Sequence, residues 1–199
     1  MIAPPAVMLS GGASRRMGGT DKALMPLAGE PLLAHVIARI APQTERLALN
    51  TNSADPALGG FGLPMLPDTL PDRPGPLAGI LAAMDWAAEL GDTHVVTVPG
   101  DTPFLPADLI PCLTLRGAGD APVVAASSGR LHPVAGLWPV ASRTALRDAI
   151  TGGLRKVTDW TDAAGALTCE FPATDPDLFF NVNTPEDLAR AERLIGGTR

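Results

Sequence analysis

Apolar residues along the chain follow two alternating rhythms. Runs such as 6–10, 46–49 and 94–98 are short and nearly continuously apolar, whereas the stretches between them place apolar residues three and four apart. The first pattern predicts strands covered on both faces and the second predicts helices with one buried stripe. Their alternation predicts parallel strands joined by crossover helices, an α/β chain.

In "GEPLLAHVIARI" Pro31 suits a first helical position, and Leu33, Val36, Ile37 and Ile40 share one face. A third short strand, "LPML", ends at Pro67 and Asp68, and residues 77–90 read as a helix stopped by Gly91. "HVVTV" runs into "PGDTPFLP", where Pro99 and Gly100 end it, and "ADLIPCLTL" follows as a helix. "PVVAAS" and "PVAGLWP", joined by "SGRLH", are close enough for an antiparallel pair. Helices are then expected at "SRTALRDAI" and near "KVTDW", strands at "LTCEF" and "LFFNV", and a last helix from Pro185 with Thr184 as N-cap and Asp187 three residues on. A single domain over 1–199 is expected from the length.

Composition narrows the function. With 46% hydrophobic and 18% charged residues the chain is globular, and a net charge of −6 disfavours nucleic acid or anionic membrane as a partner. Any phosphate must be met by a local basic patch. Two cysteines, Cys112 and Cys169, without a CxxC or Cys/His cluster suggest core thiols. The start lacks a basic leader and no apolar stretch reaches membrane-spanning length, which leaves the cytoplasm as the expected location.

In an open parallel sheet, ligands bind outside the carboxyl ends of the strands. Here "SGG", "NTN", "PD", "PGD" and "NVN" all follow expected strands, so five polar exits converge on one edge. The first exit opens "LSGGASRRMGGTDK", which has neither the Walker spacing nor the dinucleotide fingerprint. It nonetheless offers bare backbone amides at Gly11, Gly12, Gly18 and Gly19, together with Arg15, Arg16 and Lys22, which suits phosphate.

Asp101, after the most apolar strand, offers a hard oxygen ligand for Mg²⁺ beside such a phosphate, or equally an Asx turn or N-cap. Asn50, Asn52, Asn181 and Asn183 can both donate and accept, as reading a base edge or a pterin-like ring requires, and are also ordinary strand-exit residues. Asp68 reads the same way. His132 in "GRLHPV" reads first as a turn histidine and is the histidine best placed for acid/base work; His35 and His94 receive no role. Trp86, Trp138 and Trp160 read as packing residues.

"LSGGASRRMGGTDKALMPLAGEPLLAHV", "GPLAGI", "VPGDTPFLP" and "FFNVNTPEDLA" together resemble, in order, the molybdenum cofactor guanylyltransferases, within the wider nucleotidyltransferases. The resemblance implies a three-layer Rossmann-like nucleotidyltransferase fold, with a mostly parallel sheet, an antiparallel strand and helices on both faces. It implies transfer of GMP from GTP to molybdopterin carrying molybdenum, with release of pyrophosphate. Carried over by position, Leu9, Ser10, Gly11 and Gly12 would embrace the nucleotide, Lys22 would hold its phosphates, and Asn50 and Asp68 would contact guanosine. Asp101 would bind Mg²⁺, Arg16 would serve turnover, and Asn181 and Asn183 would lie on the pterin side. The product's onward partners would be molybdenum-cofactor insertion and target enzymes. Ser10, Ala23 and Gly100 stand where the family commonly has Ala, Gly and Cys. A nucleotidyltransferase using CTP or a sugar phosphate and a non-catalytic nucleotide-binding regulator are the competing readings; Asp101 separates the second from an enzyme.

Overall fold

The computed structural model describes residues 2–10, 21–70, 75–117 and 119–197. Its framework is a seven-stranded sheet ordered β5-β4-β1-β6-β8-β7-β9. These strands are β1 Ala6–Leu9, β4 Leu47–Asn50, β5 Met65–Leu66, β6 His94–Pro99, β7 Val123–Ser127, β8 Arg130–Pro139 and β9 Leu167–Phe171. A separate two-stranded hairpin is formed by β2 Pro26–Leu27 and β3 Glu30–Pro31. In the main sheet β8 alone runs against its neighbours β6 and β7, and every other pairing is parallel. The expected antiparallel pair is β7 and β8, and it merges into the parallel sheet through β6.

Side-chain alternation along the strands separates two cores. Ala6, Met8, Leu47, Leu49, Val96 and Val98 face one side with α1 Leu32–Ile40 and α3 Leu109–Arg116. Val7, Ala48, Val95, Val124 and Trp138 face the other with α2 Pro76–Glu89, α4 Arg143–Thr151 and α5 Val157–Ala163. The result is helix, sheet, helix: the three layers expected of a Rossmann-like chain. Trp138 is fully buried, and its indole donates to Thr97 Oγ1 at 2.8 Å, while that hydroxyl donates to Val134 O at 2.7 Å.

Two expectations are corrected. Pro31 is not the first helical residue but the residue before it, because the β2–β3 hairpin turns at Ala28 and Gly29, both at positive φ, and holds Pro31 extended opposite Pro26. "LFFNV" forms no strand: residues 178–182 are turn and irregular backbone. The alternation fails because both phenylalanines pack inward. Phe179 packs against Phe171 at the sheet, and Phe180 packs near Phe104 beneath the Arg190 guanidinium.

This strap leads into α6 Pro185–Gly196, whose N-terminus is a complete capping box. Asp187 Oδ2 accepts from the Asn183 and Thr184 amides, and Thr184 Oγ1 accepts from the Asp187 amide at 3.1 Å. Helix α6 then docks on the hairpin through a small core of Leu27, Leu32, Phe104, Val182 and Ala191.

Candidate functional site

The carboxyl ends of β1, β4, β5 and β6 lie side by side at one sheet edge, and the strap crosses the same edge. The site has two clusters there. Gly11, Gly12, Arg15, Arg16, Gly18 and Gly19 of the glycine stretch lie outside the described residues. Its two ends are described: Leu9 and Ser10 leaving β1, and Lys22 opening a short 3-10 turn capped by the Asp21 carboxylate.

The first cluster forms where β4 and β5 end. Asn50, 1% exposed, donates from Nδ2 to Leu66 O and to Asp68 Oδ1, both at 3.0 Å. Asn52 donates to Asp68 Oδ2 at 2.7 Å and accepts from the Asp68 amide at 3.0 Å. Two amides therefore hold the Asp68 carboxylate in one orientation, leaving its other lone pairs for a ligand's donors. The Ser10 amide donates to Asn50 O at 2.9 Å, tying the start of the glycine stretch to this cluster.

Gly79, in the first turns of α2, leaves the room that Asn50 occupies, since a Cβ there would collide with Asn50 Oδ1. Sequence reading passed over Gly79, although it lies in the quoted "GPLAGI". Thr102 carries no sequence signal either, and Asn52, a candidate for reading a base edge, instead holds the Asp68 carboxylate.

The second cluster centres on Lys22, whose ammonium lies 2.6 Å from Asp101 Oδ2 and 2.7 Å from Asn183 Oδ1. The lysine and aspartate side chains are 17% and 27% exposed, so the pair is only partly screened by water. Thr102, fully buried, donates to Asn181 Oδ1 at 2.7 Å, and the Val182 amide donates to Asp101 O at 2.9 Å. Asn181 and Asn183 are thus fastened beside Asp101 and Lys22 from far along the chain. Asp101 caps no helix, because Asp108 occupies that position before α3. Gly100 keeps β6 close to β1: its amide donates to Leu9 O at 2.9 Å, and a Cβ would lie 3.1 Å from the same oxygen.

Among the described residues no group of three or more His, Cys, Asp or Glu could hold a metal ion. A lone carboxylate at Asp101 matches the share a protein gives Mg²⁺ when phosphates and water complete its octahedron. The residues present therefore fit such an ion once a nucleotide is bound.

His132 is not a turn residue but part of β8, opposite Ala125. Burial pushes its imidazole below the ordinary histidine range; Asp177 and Glu170 pull it up, and Arg130 adds to the lowering. His35 binds Leu27 O at 2.8 Å from α1, and His94 begins β6 at the opposite edge of the sheet.

Residues 6–165 match the family model of the MobA-like NTP transferase domain. This chain belongs to the MobA-like NTP transferases. The MobA-like chain is 47% identical over 197 residues to the molybdenum cofactor guanylyltransferase of Bradyrhizobium sp. (strain ORS 278), covering 96% of this chain and 93% of that one. It is also 47% identical over 189 residues to the enzyme of the same name from Cereibacter sphaeroides, with 95% of each chain covered. Among solved structures, the molybdopterin-guanine dinucleotide biosynthesis protein A of Archaeoglobus fulgidus superposes with a TM-score of 0.76 at 22% identity, covering 97% of this chain and 99% of that one. The 2-C-methyl-D-erythritol 4-phosphate cytidylyltransferase of Thermus thermophilus reaches 0.71 at 16% identity, covering 98% and 100%. At such identities the structural likeness establishes the MobA-like fold, and the curated sequences establish the family.

Proposed function

We propose that this chain transfers GMP from GTP to the terminal phosphate of molybdenum-bearing molybdopterin and releases pyrophosphate. The observation that carries the reading is the Lys22–Asp101 pair at the sheet edge, in a chain 47% identical to enzymes named for that reaction. An oxygen of the acceptor phosphate attacks the α-phosphorus of GTP, and the bond to the β-phosphate oxygen breaks. The nucleophile is already anionic, so positioning and charge neutralisation matter more than a base.

Leu9, Ser10, Gly11 and Gly12 take the nucleotide backbone, and Lys22 with Arg16 neutralises its phosphates. Asn50 and Asp68 take the guanosine part, with Asn52 fixing the carboxylate. A fixed carboxylate suits guanine, whose N1–H and 2-amino group both donate. Asn181 and Asn183 face the acceptor. Asp101 would hold Mg²⁺, which would supply Lewis-acid neutralisation of phosphate oxygens. Lys22, now on Asp101, would turn its ammonium to the phosphates of bound GTP.

The reaction is expected to take place in the cytoplasm, with the product passed to cofactor-insertion and target enzymes. Among the described residues no helix is long and apolar enough to cross a membrane.

Thermal unfolding with each nucleotide tests the reading, because a ligand bound to the native state raises the midpoint by mass action. With Mg²⁺ present GTP is expected to give the largest rise. A larger rise with CTP would replace the guanylyl reading by the cytidylyl one.

A further inference from the structure

Of the three histidines, His132 alone stands at the carboxyl edge of the sheet. Strand β8 runs antiparallel to β6 with Thr97 opposite Gly136. Because β8 runs against β6, its opening residues, His132 among them, lie at the carboxyl ends of the parallel strands, and an irregularity in β8 between His132 and Gly136 ends the pairing with β6 before the histidine. Its Nε2 lies 2.8 Å from Ser127 Oγ, at the end of β7. One face of the ring is covered by Phe179, with centroids 4.1 Å apart and planes 8° from parallel. Phe179, only 5% exposed, meets Phe171 edge-on at 5.5 Å.

Phe179 begins the strap that carries the acceptor-side residues. Two residues on, Asn181 is held by Thr102; the Val182 amide is held by Asp101 O; Asn183 is held by Lys22. All three of these fastenings lie on the Asp101 side. At the other end of the strap Phe179 meets His132 and Phe171, its amide donates to Asp177 Oδ1 at 2.9 Å, and the Phe180 amide donates to Asp177 O at 3.1 Å.

We propose that His132 is a positioning residue for the acceptor half of the reaction: bonded to Ser127 and stacked on Phe179, its ring holds the strap so that Asn181 and Asn183 stay beside Asp101 and Lys22. This rests on the assignment of those two asparagines to the acceptor under the proposed function. It touches neither substrate nor metal itself.

The arrangement also responds to protons. The charged groups facing the ring are Arg130 on its own strand, Glu170 of β9 and Asp177 ahead of the strap, and burial outweighs their combined effect to favour the neutral form. For a base whose folded value is lowered, the stabilisation is fully present above the ordinary value, about 6.5, and is lost as pH falls through the lowered one. Acidification is therefore expected to weaken the hold of His132 on Phe179.

Two substitutions test this. His132→Ala removes the stack and the bond to Ser127, whereas His132→Gln keeps a flat, hydrogen-bonding group that cannot titrate. The readouts are hydrogen exchange at the Val182 amide, nucleotide affinity, and KM for the metal-loaded pterin acceptor between about pH 5 and pH 8. In His132→Ala, Val182 exchange and acceptor KM are expected to rise about tenfold, with GTP affinity within about twofold of the parent. His132→Gln should match the parent at the alkaline end and lack the rise in acceptor KM on acidification. Unchanged Val182 exchange in His132→Ala, or equal losses for GTP and acceptor, would overturn the proposal. So would an acid limb retained in His132→Gln. Should the parent transfer no GMP, the function reading fails, and Val182 exchange still decides whether His132 holds the strap.

Discussion

The Lys22 ammonium lies 2.6 Å from the Asp101 carboxylate, joining residues 79 positions apart, one beyond each of the adjacent parallel strands β1 and β6. Asp101→Asn keeps the size of the side chain and removes the charge that pairs with Lys22 and would take Mg²⁺. The variant is expected to fold, with an unchanged far-UV CD spectrum, and to lose at least about a hundredfold in kcat for GMP transfer. Full activity in this variant would remove the metal assignment.

Lys22→Ala takes one charged donor from the phosphates. A hydrogen bond to a charged group is worth about 1.5–3 kcal/mol, so GTP affinity should fall by roughly ten- to a hundredfold in titration calorimetry. An unchanged affinity would contradict the phosphate role.

Gly79→Ala would drive a Cβ into Asn50 Oδ1, so the amide that holds Asp68 must move. Preference for GTP over CTP in competition binding should shrink by about tenfold, with less effect on triphosphate affinity overall. Retained preference would separate Asn50 and Asp68 from base recognition.

Parallel strands covered on both faces write themselves as continuous apolar runs, which is why β1, β4 and β6 and their polar exits were legible without coordinates. Asp101, Asn50 and Asp68 stand out because each closes or follows such a run, and Lys22 because it ends a glycine-rich, basic stretch. "LFFNV" misled by the same logic: a continuous apolar run marks burial, and Phe179 is buried, and Phe180 half-buried, by ring packing rather than by a ladder. Gly79 and Thr102 were illegible for another reason. One matters for the space it leaves and the other for a hydrogen bond across 79 residues, and neither leaves a periodic trace.

Thr184 and Asp187 close the capping box directly after Asn183. Its backbone amide, donating to Asp187, is the largest cause holding that carboxyl below the ordinary range, against an opposing burial effect. The bonds favour the ionised form, so their stabilisation is present above the ordinary carboxylate value and is lost as pH falls through the lowered one. Thr184→Ala should cost about 1 kcal/mol in urea unfolding at neutral pH. Asp187→Asn should flatten the acid loss of stability relative to the parent.

Lys22, Asp101 and the Asn50–Asp68 cluster are together proposed to carry guanylyl transfer in this chain. The most direct measurement follows label from the α-phosphate of GTP, and separately of CTP, into the metal-loaded pterin acceptor with Mg²⁺ present. Label should pass from GTP with release of one pyrophosphate per transfer, and from CTP at least about a hundredfold more slowly. Equal or faster transfer from CTP would contradict the account.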